Sequence, residues 1–405
     1  MNKHYKLFVP MLKAALTIAA SAVITFSATA QWVAKTPIPT TGRDASATFT
    51  INNVVYLAGS SASKDFWKYN PATNTWTRLA DIPGCIANRG FAVAFALNGK
   101  GYVATGADTS LVTVKRDLWQ YDTATNTWVP KATLPGPGRD GAFSFVVNNI
   151  AYVGGGNDST GYLLNDFWAY DPTTNSWSAK ASLPDYTIFP FAFGIGSYGY
   201  ISCGQQGAAE SNNTYQYDPT TNVWTSKAAF PGTARQAGAA FVLGNTAYCG
   251  LGMTGYTSAF QDLYTYNPTT NTWTAAGNFL GGNDAWPAVA TANGKAYVGI
   301  GWDFGASFFN YWYQFTPPVS SVNNTINNTA GLNVFPNPTA GLINIDFANG
   351  RQTDQYTYQI IDINGSKIMN GQLRSTLDLS NLPAGEYQLK ILGDNEITTT
   401  ITKVR

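Results

Sequence analysis

The chain has 405 residues, 44% apolar, with 12 Trp, 23 Tyr and 22 Phe; it is too aromatic for disorder and long enough for more than one core. Only 12% is charged, with 24 basic against 23 acidic residues and no basic run, which excludes a nucleic-acid surface built on charge. One histidine, His4, and three cysteines without a CxxC pair leave little for zinc sites or for histidine-based catalysis.

The predicted elements begin at residue 31. Lys3, Lys6 and Lys13 precede the apolar run AALTIAASAVITF (14–26), and Ala28-Thr29-Ala30 is a small-x-small cleavage site, so residues 1–30 read as a secretory signal peptide. Its removal takes away three Lys and His4, leaving 21 basic against 23 acidic residues, net −2, and a mature chain with no histidine. No later segment is long and apolar enough to span a membrane. Cys85, Cys203 and Cys249 are odd in number and read as small apolar strand residues.

Residues 31–318 repeat one unit. DFWKYNPATNTW (65–76) returns as DLWQYDTATNTW (117–128), DFWAYDPTTNSW (166–177), NTYQYDPTTNVW (213–224) and DLYTYNPTTNTW (262–273). Aromatics alternate along a strand, a Pro/Thr/Asn run makes a turn in which Asn takes the left-handed conformation, and Trp opens the returning strand. A second comb, Tyr56, Tyr102, Tyr152, Tyr200, Tyr248 and Tyr297, marks an earlier hairpin of the same unit. A period near 50 residues with these marks predicts propeller blades. There are six tyrosines but five Trp hairpins. The third strand NYWYQFTPP (310–318) lacks a closing Trp, whereas Trp32 has a closing strand with nothing before it. The expected fold is all-β, a six-bladed propeller closed by the N-terminal strand.

These residues resemble the kelch family, within the galactose-oxidase-like propeller superfamily. The resemblance covers 31–318 and departs from the family pattern in places: a GG doublet after the Tyr stands only at Gly154-Gly155, and the last blade has no Trp hairpin. Copper radical oxidases of that superfamily use two histidine ligands, which the mature chain lacks. No metal and no cofactor is expected.

Strand order puts the repeated turns on one face and leaves the variable loops on the other, where a ligand site is expected. Thirteen residues before each marker tyrosine stand Arg43, Arg89, Arg139, Thr187, Arg235 and Asp284. Four arginines in one register at the channel mouth suit a carboxylate or phosphate. The structural alternative pairs each Arg with local carbonyls or with its neighbour Asp44 or Asp140. The loops add Tyr162, Tyr256 and Trp302, aromatics that suit a sugar or a peptide, and Glu210, the only glutamate in 31–318.

TPPVSSVNNTINNTAG (316–331) is polar and marks a linker, placed at 319–331. Beyond it, 332–405 alternates in short strands and predicts a small Ig-like β-sandwich. NVFPNPTAG (333–341), YQIIDINGSKI (358–368), LSNLPAGEYQLKI (379–391) and the terminal KVR resemble the C-terminal sorting domain (type A) of the type IX secretion system. That resemblance implies the secretion machinery as a partner through 332–405, and release or surface display by a Gram-negative bacterium via the periplasm.

Two functions are thus expected. The first is a secreted or surface-displayed monomer that binds a glycan or a protein through Arg43, Arg89, Arg139, Arg235, Asp284, Tyr162, Tyr256 and Trp302. The second resembles the kelch-type sialic acid epimerases: an isomerase or lyase on an acidic sugar, with the arginines on its carboxylate and Glu210 as base. The missing histidines weigh against the second.

Overall fold

A computed structural model describes residues 31–108, 113–305, 308–317, 332–347, 351–362, 366–383, 385–393 and 397–403. The signal peptide and linker expected from the sequence lie outside the described residues. The chain divides into two compact units, one of Thr29–Pro318 and one that holds Val319–Arg405.

The first unit contains six four-stranded antiparallel sheets. Sheet one is Ala47–Ile51, Val54–Ala58, Phe66–Asn70 and Thr75–Arg78. Sheet two is Val93–Leu97, Lys100–Ala104, Leu118–Asp122 and Thr127–Lys131. Sheet three is Phe143–Val147, Ile150–Gly154, Phe167–Asp171 and Ser176–Ala179. Sheet four is Phe191–Ile195, Tyr198–Ser202, Thr214–Asp218 and Val223–Lys227. Sheet five is Ala239–Leu243, Thr246–Gly250, Asp262–Asn267 and Thr272–Asn278. Sheet six is Ala288–Ala292, Lys295–Gly301 and Phe309–Thr316, and its fourth strand is Gln31–Lys35 from the other end of the unit.

Each sheet buries both faces against its neighbours. Tyr170 and Trp177 of sheet three pack with Phe95, Leu97 and Tyr102 of sheet two, whereas Phe167 and Ala169 pack with Ile201 and Tyr217 of sheet four. Period-two alternation therefore supplies two cores, each shared with a different neighbour. Burying one such aromatic contributes roughly 2–3 kcal/mol, and a lone sheet cannot make that burial.

The repeated hairpin also stitches sheets together. In sheet three the left-handed Asn175 (φ 49°) accepts from Tyr170 Oη at 2.9 Å and from the backbone N–H of Ala132 at 3.0 Å. Ala132 follows the last strand of sheet two, and its carbonyl accepts from Trp177 Nε1 at 2.7 Å. The same reciprocal pair recurs with Asn74 and Trp76, Asn126 and Trp128, Asn222 and Trp224, Asn271 and Trp273. That makes five seams. The seam between sheets five and six has no such hairpin; there Trp32 packs its ring 4.8 Å from both Phe279 and Phe315.

The second unit holds a three-stranded sheet (Leu332–Phe335, Leu342–Phe347, Thr376–Asp378) and a four-stranded sheet (Lys367–Gln372, Thr357–Ile361, Gly385–Leu392, Ile397–Lys403). Ile343 and Ile345 from the first meet Ile360, Leu389 and Ile401 from the second in one core.

Candidate functional site

The four arginines do not line an open mouth. Arg43, Arg89, Arg139 and Arg235 are 4%, 0%, 0% and 1% exposed, and each guanidinium forks onto an aspartate of its own sheet. The partners are Asp65, Asp117, Asp166 and Asp262, the first residues of the repeated hairpins. Carbonyls complete the shell: Arg89 Nε donates to Thr105 at 2.9 Å, and Nη1 of Arg139 and Arg235 to Gly155 and Leu251 at 3.1 and 3.3 Å. Trp67, Trp119 and Trp168 donate from Nε1 to three of the same aspartates. Burial pushes the carboxyls of Asp65 and Asp166 up, but the facing arginine together with the hydrogen bonds from Trp67 and Trp168 holds both below the usual carboxylate range. A guanidinium so engaged cannot also receive a ligand carboxylate. The anion ring expected from the sequence is replaced by a set of internal pairs, and the partners are not the adjacent Asp44 and Asp140.

The two exceptions to the register change in step with their partners. In sheet four, Thr187 stands at the Arg position and Asn213 at the Asp position, and among the described residues the buried Thr187 hydroxyl has no partner. In sheet six, Asp284 replaces Arg and Tyr311 replaces Asp, and Tyr311 Oη donates to Asp284 Oδ2 at 3.0 Å. Asp284 is fully buried, and that burial drives its carboxyl well above the usual range despite the bonds from Tyr311 and the Trp302 N–H. It is a neutral-side counterpart of the Arg–Asp pair, beneath the surface.

The mouth is built two residues further on, by Ala45, Phe91, Gly141, Phe189, Ala237 and Trp286. All six have φ between 53° and 61°. This left-handed turn points each amide at the carbonyl of the preceding sheet, and the six N–H···O bonds close a ring at 2.8–3.2 Å. Large and small residues alternate around it. Phe91, Phe189 and Trp286, from alternate sheets, meet at 5.3–6.2 Å between ring centroids. A cavity of about 140 Å³ opens here. Behind it a channel of about 290 Å³ is lined by all six innermost strands, including Thr48, Ala94, Ser144, Ala192, Ala240 and Val289.

Loops add to the rim unevenly. On the side of sheets five and six, Tyr256 lies 6.3 Å and Trp302 6.4 Å from Trp286, and Phe304 lies 4.5 Å from Trp302. On the side of sheets three to five the rim is polar. Gln236, fully buried, donates from Nε2 to Gln205 at 3.1 Å and to Glu210 at 3.4 Å. Glu210 also accepts from the Gly255 N–H at 2.9 Å and from Thr254, and Tyr256 Oη donates to Gln205 at 3.2 Å. Among the described residues, the acceptors Gln236 Oε1, Asn157 Oδ1 and Asp140 Oδ1 find no donor, and the donor Trp286 Nε1 finds no acceptor. Burial raises the Asp140 carboxyl to about 6, and its charge, with that of Glu210, helps burial raise the Tyr256 hydroxyl.

Of the expected site residues, Tyr256, Trp302 and Glu210 thus come together at the rim. Tyr162 does not; it pairs with Tyr186 at 6.0 Å, where that hydroxyl raises its own. The sequence reading missed Phe91, Phe189, Trp286, Gln236, Asn157 and, as a site residue, Asp140. The large–small alternation two places after the arginine register was the available signal.

Two domain families match the chain. The KLHDC2/KLHL20/DRC7 Kelch-repeats domain matches residues 23–190, and the secretion system C-terminal sorting domain matches 333–404. Among curated proteins, N-acetylneuraminate epimerases of Shigella sonnei (strain Ss046) and Escherichia coli (strain K12) are each 35% identical over 148 residues, 35% of this chain and 39% of theirs. The match therefore spans about two-fifths of the epimerases' length. A solved structure described as that of YjhT superposes with a TM-score of 0.62 at 18% identity, covering 70% of this chain and 97% of that one, which shows a shared fold. The chain carries Kelch repeats in its N-terminal unit and, in its C-terminal unit, a secretion system sorting domain of the type IX kind, the mark of export to the cell surface or secretion.

Proposed function

We propose that the six sheets are the blades of one closed propeller whose mouth binds a glycan outside the cell. On this reading residues 31–318 are the binding domain, 319–331 a linker, and 332–405 an Ig-like sorting domain that addresses the protein through the periplasm of a Gram-negative bacterium. The observation that carries it is the pairing of an aromatic wall (Tyr256, Trp286, Trp302) with orphaned acceptors on Asp140, Asn157 and Gln236. A buried acceptor without a donor is rare in a finished core, and sugar hydroxyls supply donors while the ring faces of a sugar cover aromatics. A glycan array probed with the purified mature chain tests it: binding that Trp286→Ala weakens supports the mouth, and an array with no binding at all rejects it.

The partial match to N-acetylneuraminate epimerases favours a second reading, an isomerase on an acidic sugar. Interconverting sugar anomers requires proton transfer near neutral pH, and Asp140, at about 6, and Glu210 are the nearby carboxyls. The arginines meant to hold the acid are occupied internally. Anomer exchange of N-acetylneuraminate followed by NMR decides it; a rate equal to that of buffer alone ends the enzyme reading.

A further inference from the structure

We propose that the mouth selects a sugar carrying a free, protonated amine, an unacetylated amino sugar. The inference rests on the glycan reading and adds the sign of the charge that the site prefers. The twelve residues lining the mouth include no Lys or Arg. The arginines one step behind it are neutralised by Asp65, Asp117, Asp166 and Asp262. What remains among the described residues of the rim is mainly acceptor chemistry, with the Trp286 indole N–H the one unpartnered donor beside it. Asp140 Oδ1, Asn157 Oδ1 and Gln236 Oε1 lack donors, and the carboxylate of Glu210 lies against Gln236 and Gly255.

Gln236 gives the strongest indication of a ligand. It is fully buried, and its amide nitrogen is fixed by Gln205 and Glu210. Its oxygen is therefore an acceptor held in place with nothing to accept. An ammonium offers three N–H donors and a positive charge to three unmatched acceptors, whereas an acetamido group offers one N–H, and its oxygen finds a single unpartnered donor, the Trp286 indole. Tyr256 shares Gln205 with Gln236 and lies near the rings of Trp286 and Trp302, and an aromatic face attracts a cation as well as the apolar side of a sugar ring. Asp140, at the turn into Gly141, is the one carboxyl of the group with an unmatched oxygen.

The experiment is calorimetric titration of the full mature chain at pH 7 with three probes: a glucosamine trimer, its fully N-acetylated form, and N-acetylneuraminate. The amine trimer should bind at least about tenfold more tightly than the acetylated one, a difference of about 1.4 kcal/mol. Asp140→Asn should bring the ratio of the two trimers' affinities towards one; a ratio unchanged from wild type overturns the role of Asp140. Equal or tighter binding of the acetylated trimer overturns the amine proposal and leaves the glycan reading in place. Tighter binding of N-acetylneuraminate than of the amine trimer overturns the proposal and supports the epimerase reading. No binding of any probe, together with a blank glycan array, overturns both the proposal and the glycan reading. The wild-type comparison decides the sign of charge even if the variant fails to fold.

Discussion

Arg139 shows how one side chain can carry the geometry of a repeat. Its guanidinium is wholly buried, and it ties the turn before the innermost strand to the start of the third strand through Asp166 and to the second through the Gly155 carbonyl. Removing it takes the arginine's donors from Asp166, which keeps the Trp168 indole N–H, and from that carbonyl. Arg139→Ala should lower stability by about 2–3 kcal/mol, and Arg89→Ala and Arg235→Ala by similar amounts, read as the midpoint of urea unfolding. If the three variants unfold with the wild type, the pairs contribute nothing and the arginines are free for another role. Asp140 predicts the opposite. Its folded-state carboxyl sits at about 6 against the usual 3.8, so between those values the folded chain holds a proton that the unfolded chain releases. Stability then falls as pH rises through that window, and the cost is complete above about 6. Asp140→Asn should therefore stabilise the protein at pH 7 by about 1–2 kcal/mol, allowing for partial exposure, and leave it unchanged at pH 4. A variant less stable than wild type at pH 7 would show that the carboxylate has a partner worth more than its burial costs.

At the scale of elements, the hairpin that recurs five times is a stitch between sheets as well as a pair of strands. Asn175→Ala removes the acceptor of Tyr170 and Ala132 and places an alanine at φ 49° without the polar side chain that favours this conformation. A loss of about 2 kcal/mol is expected, and a thermal melt superposing on wild type would count against the stitch. The sixth seam depends instead on Gln31–Lys35 and Trp32. Deleting 31–36 bares the edge of Phe309–Thr316 and should cause aggregation or a large fall in melting temperature. These elements were legible in the sequence because alternation, Pro/Thr/Asn turns and the tyrosine comb are local signals, and the missing sixth Trp pointed to Trp32. The site was not. Arg139 and Asp166 lie 27 residues apart, and nothing local says that they meet. The hint was compensation between repeats, Arg with Asp in four, Thr187 with Asn213, Asp284 with Tyr311. The mouth residues were hidden because Phe91, Phe189 and Trp286 owe their position to a left-handed backbone turn that periodicity does not report.

At the scale of the whole molecule, the Kelch-repeat unit and the sorting domain have separate cores. Among the described residues, every core cluster of the first unit draws on positions from Ile38 to Phe315, and the cluster of the second on Leu332 to Ile401, with none shared. A core complete within one segment needs nothing from the other to form. Residues 31–318 expressed alone should then fold with the melting temperature that the same unit shows in the mature chain. The sorting domain, by contrast, matters to where the protein goes and not to how the first unit folds. Deleting 332–405 in the native host should leave a folded, protease-resistant first unit retained inside the cell envelope, absent from the surface and the medium. Cell fractionation with an antibody against the first unit, alongside limited proteolysis of each fraction, measures both properties at once. Retention of a degraded fragment would mean that the two units are not independent after all. A folded truncation delivered to the surface would show that the address lies elsewhere in the chain. Only folded and retained together fit a propeller whose export signal is a separate domain.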